Sequence, residues 1–335
     1  MRCKKEIMGL AALKIVLYHF YIPFGNSMPE VFMIKSTYIG VDLFFFVSAC
    51  SLANRSKNNF NYGQFIFNRF TMIYLPFVAL SIIGAIYKKW AIADFFKVIL
   101  GVQFVQKGGG SFLWYFIGIM IIYLLVPLFV FVKNKFKLYG LGILMVFWVL
   151  VSCLFQFAFP SPQLFILINR LPIFFIGMYY EELVRANITK LGKWVPWVIS
   201  LVLMGVGMVL IYKFATVYRL IKPFSDMYYI IAIPMILGTV ILIDVITTAL
   251  EKKYKSKILK FIGGITLELY GLQMIFGYDI EIKFLKVVPV KQLAFVGVVI
   301  ILIALAFIFN RIIALIRKGV NLIGNKNLET KEIGK

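Results

Sequence analysis

Long apolar stretches separated by short polar segments run through almost the whole chain of 335 residues. A helix needs about 20 apolar residues to cross roughly 30 Å of hydrocarbon. Ten stretches meet this requirement, and they predict an all-α, polytopic bundle of about ten transmembrane helices. They cover residues 7–24, 38–53, 69–87, 112–132, 138–159, 164–183, 194–214, 227–249, 258–278 and 292–317.

One further apolar run, residues 92–105, is too short to cross and carries Asp94 and Lys97. It predicts an interfacial or re-entrant helix and not an eleventh span. After Lys318 only a short polar strip follows. The expected organisation is therefore a membrane domain over residues 1–318 and a short polar cytoplasmic tail over 319–335, with no appended soluble domain.

The basic residues form short clusters between the apolar stretches, and the formal net charge is +22. A nucleic-acid binder gathers such residues on one folded polar face, so the pattern argues against a nucleic-acid partner. Most of the clusters fall at the two ends of the chain and after every second span, as the positive-inside rule requires for cytoplasmic termini. Lys88, Lys89, Lys97 and Lys107 weaken this asymmetry in one outer loop. The charge predicts a multi-pass protein of the plasma membrane.

Six ionisable residues fall inside predicted spans, where such groups are costly and mark functional sites by default. They are Lys14, His19, Asp42, Arg170, Glu268 and Arg311. His19 is the only histidine of the chain. The alternative for this imidazole is a hydrogen bond to a neighbouring helix that merely stabilises packing. The three cysteines have no metal-like spacing, so no metal site is expected.

His19 and Asp42 are predicted to lie at one depth. His19 lies five residues before the outer end of the first span and Asp42 four residues after the outer start of the second. At the helical rise both are about 6–8 Å below the outer surface. Adjacent antiparallel helices would pair them, and a carboxylate orients an imidazole as a general base requires. The alternative is that Asp42 caps its helix or contacts water.

The other candidates have two interpretations each. Lys14 lies about 140° around the helix from His19, and we expect it to form an ion pair with Glu268. Arg170 either holds an anionic substrate or transition-state oxygen or pairs with a carboxylate. Arg69, at the cytoplasmic mouth, either receives phosphate groups or only follows the positive-inside rule.

Several segments resemble, in order, those of the acyltransferase-3 family of integral membrane O-acyltransferases. The closest is IGVDLFFFVSA (39–49), which follows KIVLYHF (14–20) and precedes FIFNRFTMIYLP (65–76). The later segments are FLWYFIGIMIIYLLVPL (112–128), RLPIFFIGM (170–178) and FIGGITLELYGLQ (261–273). The chain departs from the family pattern at Met8 and Met72, where arginines are usual, and at Gln273, where histidine is common.

The resemblance implies transfer of an acyl group, most often acetyl, from acyl-CoA to a hydroxyl of a cell-surface or exported glycan or its lipid-linked precursor. The donor expected is acetyl-CoA, and the fold expected has ten spans. His19 would be the general base or an acylated relay, oriented by Asp42. The residues implied in donor or substrate binding are Arg69, Arg170, Lys14, Ser48, Trp114 and Glu268.

Two other function classes stay open from the sequence. A proton-coupled transporter or flippase for a lipid-linked glycan would use His19 and Asp42 as its coupling pair. No clear repeat relates the two halves of the chain, which disfavours this alternative. A regulatory or scaffolding membrane protein without activity is the second, although the intact His19 and Asp42 argue against it. A homo-oligomer is compatible with the sequence.

Overall fold

Every element in the described part of the chain is a helix, and no strand occurs there. The structure, a computed structural model, describes residues 4–20, 37–55, 61–158, 162–188, 190, 192, 194–217, 228–249 and 257–333. The first helices are α1 (Lys4–Tyr18), α2 (Gly40–Arg55), α3 (Tyr62–Arg69), α4 (Leu75–Tyr87), α5 (Ile92–Ile99), α6 (Val102–Lys107), α7 (Trp114–Phe136) and α8 (Tyr139–Cys153). The others are α9 (Phe165–Ile168), α10 (Leu171–Tyr180), α11 (Ala186–Ile188), α12 (Val195–Val217), α13 (Tyr228–Ile231), α14 (Ile233–Ala249), α15 (Lys257–Ile262), α16 (Thr266–Val287) and α17 (Lys291–Ile333).

Within these residues four helices are long and apolar enough to cross a membrane. They are Tyr62–Tyr87, Trp114–Phe136, Tyr139–Ala158 and Lys291–Gly319. In the first, the π-helical turn Phe70–Tyr74 joins α3 to α4, and in the third the π-helical turn Leu154–Ala158 extends α8. Shorter apolar helices cover Gly40–Ala53, Val195–Ile211 and Ile233–Ile246. The prediction of an all-α membrane protein is confirmed, whereas ten spans and cytoplasmic termini stay predictions. Residues 21–24 of the first predicted span, Phe159 of the fifth and Met227 of the eighth lie outside the described residues.

Three predicted spans are divided between separate α-helices, and one of them, 227–249, is interrupted at Ala232 between α13 and α14. The span 164–183 is divided between α9 and α10, and Pro172 opens α10 because proline lacks an amide hydrogen and suits a helix start. The span 258–278 is divided by the turn at Gly263 and Gly264, and α16 then continues to Val287. At the C-terminal end, the backbone of α17 stays helical to Ile333 where the sequence predicts a separate polar tail.

The run 92–105 forms two short helices, as expected for a segment that does not cross the membrane. The helices α5 and α6 are separated at Leu100 and Gly101, and Gly101 has a φ of 76°. Glycine adopts this left-handed conformation without steric cost, so it ends one helix and starts the next. The location of this segment in the membrane interface stays a prediction.

The chain divides into two compact units. The first comprises Met1–Phe60 and Gln103–Gly264, and the second Asn61–Val102 and Ile265–Lys335. In the second unit α4 and α17 both pack on α16. Leu80 of α4 packs directly against Gly271, and Phe284 packs against Gly297 of α17. Glycines let membrane helices approach closely. Close packing matters there because the hydrophobic effect does not drive helices together within lipid.

Close glycine contacts also hold α2 in the first unit. Gly40, at the start of α2, packs against the carbonyl oxygen of Ala11 and the side chain of Ile15 on α1. Gly177 of α10 packs against the backbone of Phe46 on α2. These two contacts fix the position of the GVDLFFF segment between α1 and α10.

We expect Gly177→Leu to destabilise the first unit. A Cβ atom at Gly177 would lie 2.7 Å from the Phe46 carbonyl oxygen and 3.0 Å from the Ala49 Cβ. Overpacking of this kind costs about 1–3 kcal/mol, which thermal melting of the detergent-solubilised protein would detect. Gly205→Leu is the matched control, because no described atom lies within 4 Å of a Cβ added there. Equal melting temperatures for the two variants would contradict the packing described.

Candidate active site

His19 lies just after the last residue of α1, where it is half-buried. Its Nδ1 is 3.0 Å from the carbonyl oxygen of Ile15, and its ring meets that of Tyr18 edge to face with centroids 5.1 Å apart. A carbonyl oxygen can only accept, so the hydrogen bond places the proton on Nδ1. In the neutral ring Nε2 then carries the lone pair, which is the tautomer that a general base needs.

Asp42 lies in the first turn of α2, and its side chain is completely buried. Its Oδ1 is 3.3 Å from Nε of Arg170. Neither carboxylate oxygen accepts a hydrogen bond from any residue that the structure describes. The predicted pairing of Asp42 with His19 is therefore not among the described contacts, and the charged partner of Asp42 is Arg170. The alternative for Arg170, a pair with a carboxylate, is confirmed.

The register of α1 against α2 explains this difference. The N-terminal turn of α2 packs beside Ala11 and Ile15, through Gly40. His19 lies four residues beyond Ile15, which is about 6 Å further along the helix direction. The depth prediction assumed that both spans end at one common surface, and the glycine contact sets another register. The partner that the structure shows for the His19 ring nitrogen is the Ile15 carbonyl oxygen.

Arg170 connects the ends of several helices. It precedes α10, is only 3% exposed, and donates a hydrogen bond from Nη1 to the carbonyl oxygen of Ile166 on α9. Its guanidinium carbon lies 4.8 Å from the ring centroid of Trp114, the first residue of α7. Cations are attracted to the face of an indole ring. The structure thus brings three predicted site residues, Asp42, Arg170 and Trp114, into one group, which we call the Arg170 cluster.

The other candidates lie elsewhere. Ser48 is half-buried on α2, six residues and thus about 9 Å beyond Asp42. Lys14 is half-buried on α1 in the first unit. Arg69 ends α3 in the second unit, and its guanidinium carbon lies 5.2 Å from the ring centroid of Phe65. The functional roles of these residues stay predictions.

Glu268 is buried in the second unit and accepts a hydrogen bond of 2.8 Å from Nδ2 of Asn310 on α17. Asn310 is not among the predicted site residues, although a polar amide within an apolar stretch is a signal that the sequence offers. The predicted ion pair between Lys14 and Glu268 would join the two units, and it stays a prediction. Asn310 is the partner of Glu268 that the structure shows within its own unit.

A second charged group in the first unit was also missed. Lys133 of α7 is buried and donates hydrogen bonds to the Met178 carbonyl oxygen (2.6 Å) and to Oε1 of Glu182 (3.0 Å). The sequence places Lys133 in a cytoplasmic cluster, where exposure is the ordinary expectation. Its hydrogen bond to the Met178 carbonyl oxygen, in the last turn of α10, is usual for a cation near a helix C-terminus, so we assign it a structural role.

The described residues are thus helical and largely apolar, with one histidine whose Nδ1 bonds to a backbone carbonyl oxygen and a buried ion pair between Asp42 and Arg170. A family model described as an acyltransferase domain matches residues 9–311, nearly the whole chain. The chain belongs to this family, acyltransferase-3, and it is a membrane acyltransferase. No curated protein and no solved structure matches it.

Proposed function

We propose that this enzyme is an O-acyltransferase of the plasma membrane. It transfers an acyl group, acetyl in the first instance, from acyl-CoA to a hydroxyl of a cell-surface or exported glycan or its lipid-linked precursor. The observation that carries the proposal is His19, whose Nδ1 is held by the Ile15 carbonyl oxygen so that Nε2 is the basic nitrogen. A hydroxyl acceptor needs such a base, because an alcohol is a weak nucleophile until its proton is removed.

The proposed reaction begins when Nε2 of His19 takes the proton of the acceptor hydroxyl. The oxygen forms a bond with the thioester carbonyl carbon, and the resulting oxyanion collapses with loss of the carbon–sulfur bond. The departing CoA thiolate receives the proton from the imidazolium, which returns His19 to its starting state. An acylated His19 that relays the group is the alternative route within the same function.

The donor side of the proposal uses the candidates outside the Arg170 cluster. Arg69 is proposed to bind the CoA phosphates, since a guanidinium forms paired hydrogen bonds with phosphate oxygens. Lys14, Ser48 and Glu268 are proposed further contacts with donor or substrate. Arg170 is proposed to act on the acceptor side, because its guanidinium is buried with Asp42 and Trp114.

The test of this function is the transfer itself. We expect membranes that carry the protein to consume acetyl-CoA, and the envelope glycan of cells with the protein to gain the mass of an acetyl group. Membranes and glycan from cells without the protein are the control. Movement of a lipid-linked glycan across the bilayer with no consumption of acetyl-CoA would contradict the proposal and favour the transporter alternative.

A further inference from the structure

Arg317 lies near the end of the apolar stretch Lys291–Gly319 of α17, in the second unit. The residue is half-buried, whereas the next residue, Lys318, is exposed. The Nε atom of Arg317 is buried, and no residue that the structure describes accepts a hydrogen bond from it. Buried polar atoms normally have partners. A guanidinium that is partly exposed and keeps an unused donor indicates a ligand with acceptor oxygens.

The position of Arg69 in the second unit follows from the packing of α4 on α16. Leu80 of α4 packs against Gly271 of α16, and this contact serves as a reference level. Further along both helices Tyr87 donates a hydrogen bond to Asp279, so α4 and α16 run parallel. Arg69 lies eleven residues before Leu80 in the same continuous helix. It is therefore about 15–16 Å from the reference level, toward the N-terminal ends of both helices.

The position of Arg317 follows from the packing of α17 on α16. Glu268 of α16 accepts a hydrogen bond from Asn310, and Phe284 packs against Gly297, so the two helices run antiparallel. Glu268 lies three residues, about 4.5 Å, before the reference level, and Arg317 lies seven residues, about 10.5 Å, past Asn310 in the same direction. Arg317 is therefore about 15 Å from the reference level, on the same side as Arg69.

Arg69 and Arg317 thus lie at one level on neighbouring segments. The helix α17 packs against the π-helical turn Phe70–Tyr74, which directly follows Arg69. Both arginines are half-buried and so remain accessible. Glu268, which interacts electrostatically with Arg317, is the only acidic side chain toward this end among the described residues of the second unit. With Lys318 the group has three cationic side chains against one carboxylate, which suits an anionic ligand.

We propose that Arg317 is a donor-binding residue that, together with Arg69, binds the 3′-phosphate of acyl-CoA. The inference rests on the proposed function, in which Arg69 binds CoA phosphates, and it specifies the phosphate and the second residue. A phosphate monoester carries nearly two negative charges and three acceptor oxygens. Two planar guanidiniums can donate to these oxygens together. Each phosphorus of the CoA diphosphate has fewer free oxygens and less charge, so it fits a pair of guanidiniums less well.

A phospholipid headgroup would offer the same phosphate chemistry at the membrane surface. Basic residues collect at the cytoplasmic ends of membrane helices, where anionic lipids attract them. The headgroup phosphate of a phospholipid is a diester with one negative charge, whereas the 3′-phosphate of CoA is a monoester. Donor and lipid must therefore be varied separately to distinguish the two sources.

The experiment measures acetyl transfer by the full-length protein in vesicles, with acetyl-CoA or acetyl-3′-dephospho-CoA as the donor. The acceptor is envelope glycan from cells that lack the protein. For the wild type we expect removal of the 3′-phosphate to raise the KM for the donor by about 10- to 100-fold, as loss of hydrogen bonds to a charged group does. The value of kcat should change little, because the phosphate is remote from the thioester.

Arg317→Gln should raise the KM for acetyl-CoA by about 10-fold or more and leave the KM for the dephospho donor within about 3-fold of wild type. Arg317→Lys keeps the charge without the planar fork and should retain part of the donor preference. Lys318→Gln is the matched control, because it removes the same charge from the next, exposed residue. Its KM for acetyl-CoA should change less than about 3-fold, as expected of an exposed charge.

Two results with these variants would overturn the inference. One is a rise in KM that is equal for both donors in Arg317→Gln, and the other is an equally large rise in Lys318→Gln. Where Arg317→Gln does not fold, adenosine 3′,5′-bisphosphate and AMP are compared as competitive inhibitors of the wild type and of Arg317→Lys. The bisphosphate should inhibit the wild type about 10-fold better, and Arg317→Lys should narrow this difference. Equal inhibition of the wild type by the two nucleotides would contradict the assignment.

Vesicles of phosphatidylcholine alone and vesicles with added phosphatidylglycerol distinguish the two sources of phosphate. We expect the donor preference of the wild type, and its loss in Arg317→Gln, in both kinds of vesicle. An effect of Arg317→Gln that is confined to vesicles with phosphatidylglycerol would assign this arginine to a lipid headgroup. That result would overturn the inference.

The same measurements separate this inference from the proposed function. Absence of transfer from either donor would overturn the proposed function and the inference with it. Transfer from both donors with equal KM would overturn the inference alone. So would a donor preference that Arg69→Gln removes and Arg317→Gln leaves intact.

Discussion

Replacement of His19 by alanine is expected to abolish acyl transfer while membrane insertion persists. General base catalysis contributes about 10²- to 10⁴-fold to rate, and the chain has no second histidine that could replace this one. The measurement is transfer of labelled acetyl from acetyl-CoA to envelope glycan in membranes with equal amounts of wild type and variant. The side chain bonds to the carbonyl oxygen of Ile15, within its own helix, and lies half-buried at a helix end. Its removal should therefore cost little stability.

Two further substitutions separate the chemistry of His19 from its packing. The amide nitrogen of His19→Asn can replace the Nδ1 donor to the Ile15 carbonyl oxygen, but the side chain has no basic nitrogen. The amide of His19→Gln extends to the region of Nε2 and is not basic either. We expect both variants to melt close to the wild type and to be as inactive as His19→Ala. Substantial activity in either one would show that His19 is not the base.

The helical architecture was largely predictable from the sequence, because lipid leaves few alternatives. Long apolar stretches must satisfy their backbone hydrogen bonds internally, so their lengths predict helices directly. The breaks before α10 and at Gly263 had local signals, since proline and paired glycines interrupt helices. A criterion based on length alone passes over those signals, and both spans were therefore predicted as continuous.

The candidate site was predictable in its residue types and not in its pairing. Asp42 and Arg170 were selected as ionisable residues inside predicted spans and Trp114 through the family resemblance, yet their proximity depends on which helices are neighbours. Asp42 and Arg170 are far apart in sequence, and only the packing of α2 on α10 brings them together. Burial of an ion in apolar surroundings demands a partner. The order of residues along the chain does not specify which residue is that partner.

The partner of Asp42 was assigned incorrectly because depth arithmetic treats helices as rods that end at one plane. In the structure the register follows from the smallest side chains. Gly40 lets the backbones of α1 and α2 approach beside Ala11 and Ile15, and this contact leaves His19 beyond the level of Gly40. A shift of one turn, about 5.4 Å, is enough to separate two side chains that depth alone would pair.

Removal of Arg170 is expected to be the most destabilising single change in the first unit. In Arg170→Ala the Asp42 carboxylate would stay completely buried after losing the guanidinium 3.3 Å from its Oδ1, and Trp114 would lose the cation over its ring. Breaking a buried ion pair from one side costs about 3–5 kcal/mol. The measurement is thermal unfolding of the purified protein in detergent.

Lys97→Ala is the matched control, since the ion pair of Lys97 with Asp94 is 3.2 Å long but half-exposed. Such a surface pair contributes about 0–1 kcal/mol.

Neutralising both partners together should restore much of this loss. In the double variant Asp42→Asn with Arg170→Gln no unpaired charge stays buried, and two amides can bond to each other. A double variant more stable than Arg170→Ala by about 2 kcal/mol or more would show that the cost comes from the uncompensated charge. If the double variant were as unstable as Arg170→Ala, the loss would instead lie in the Ile166 hydrogen bond and the Trp114 contact. Arg170 would then stabilise the first unit through these side-chain contacts and not through its charge.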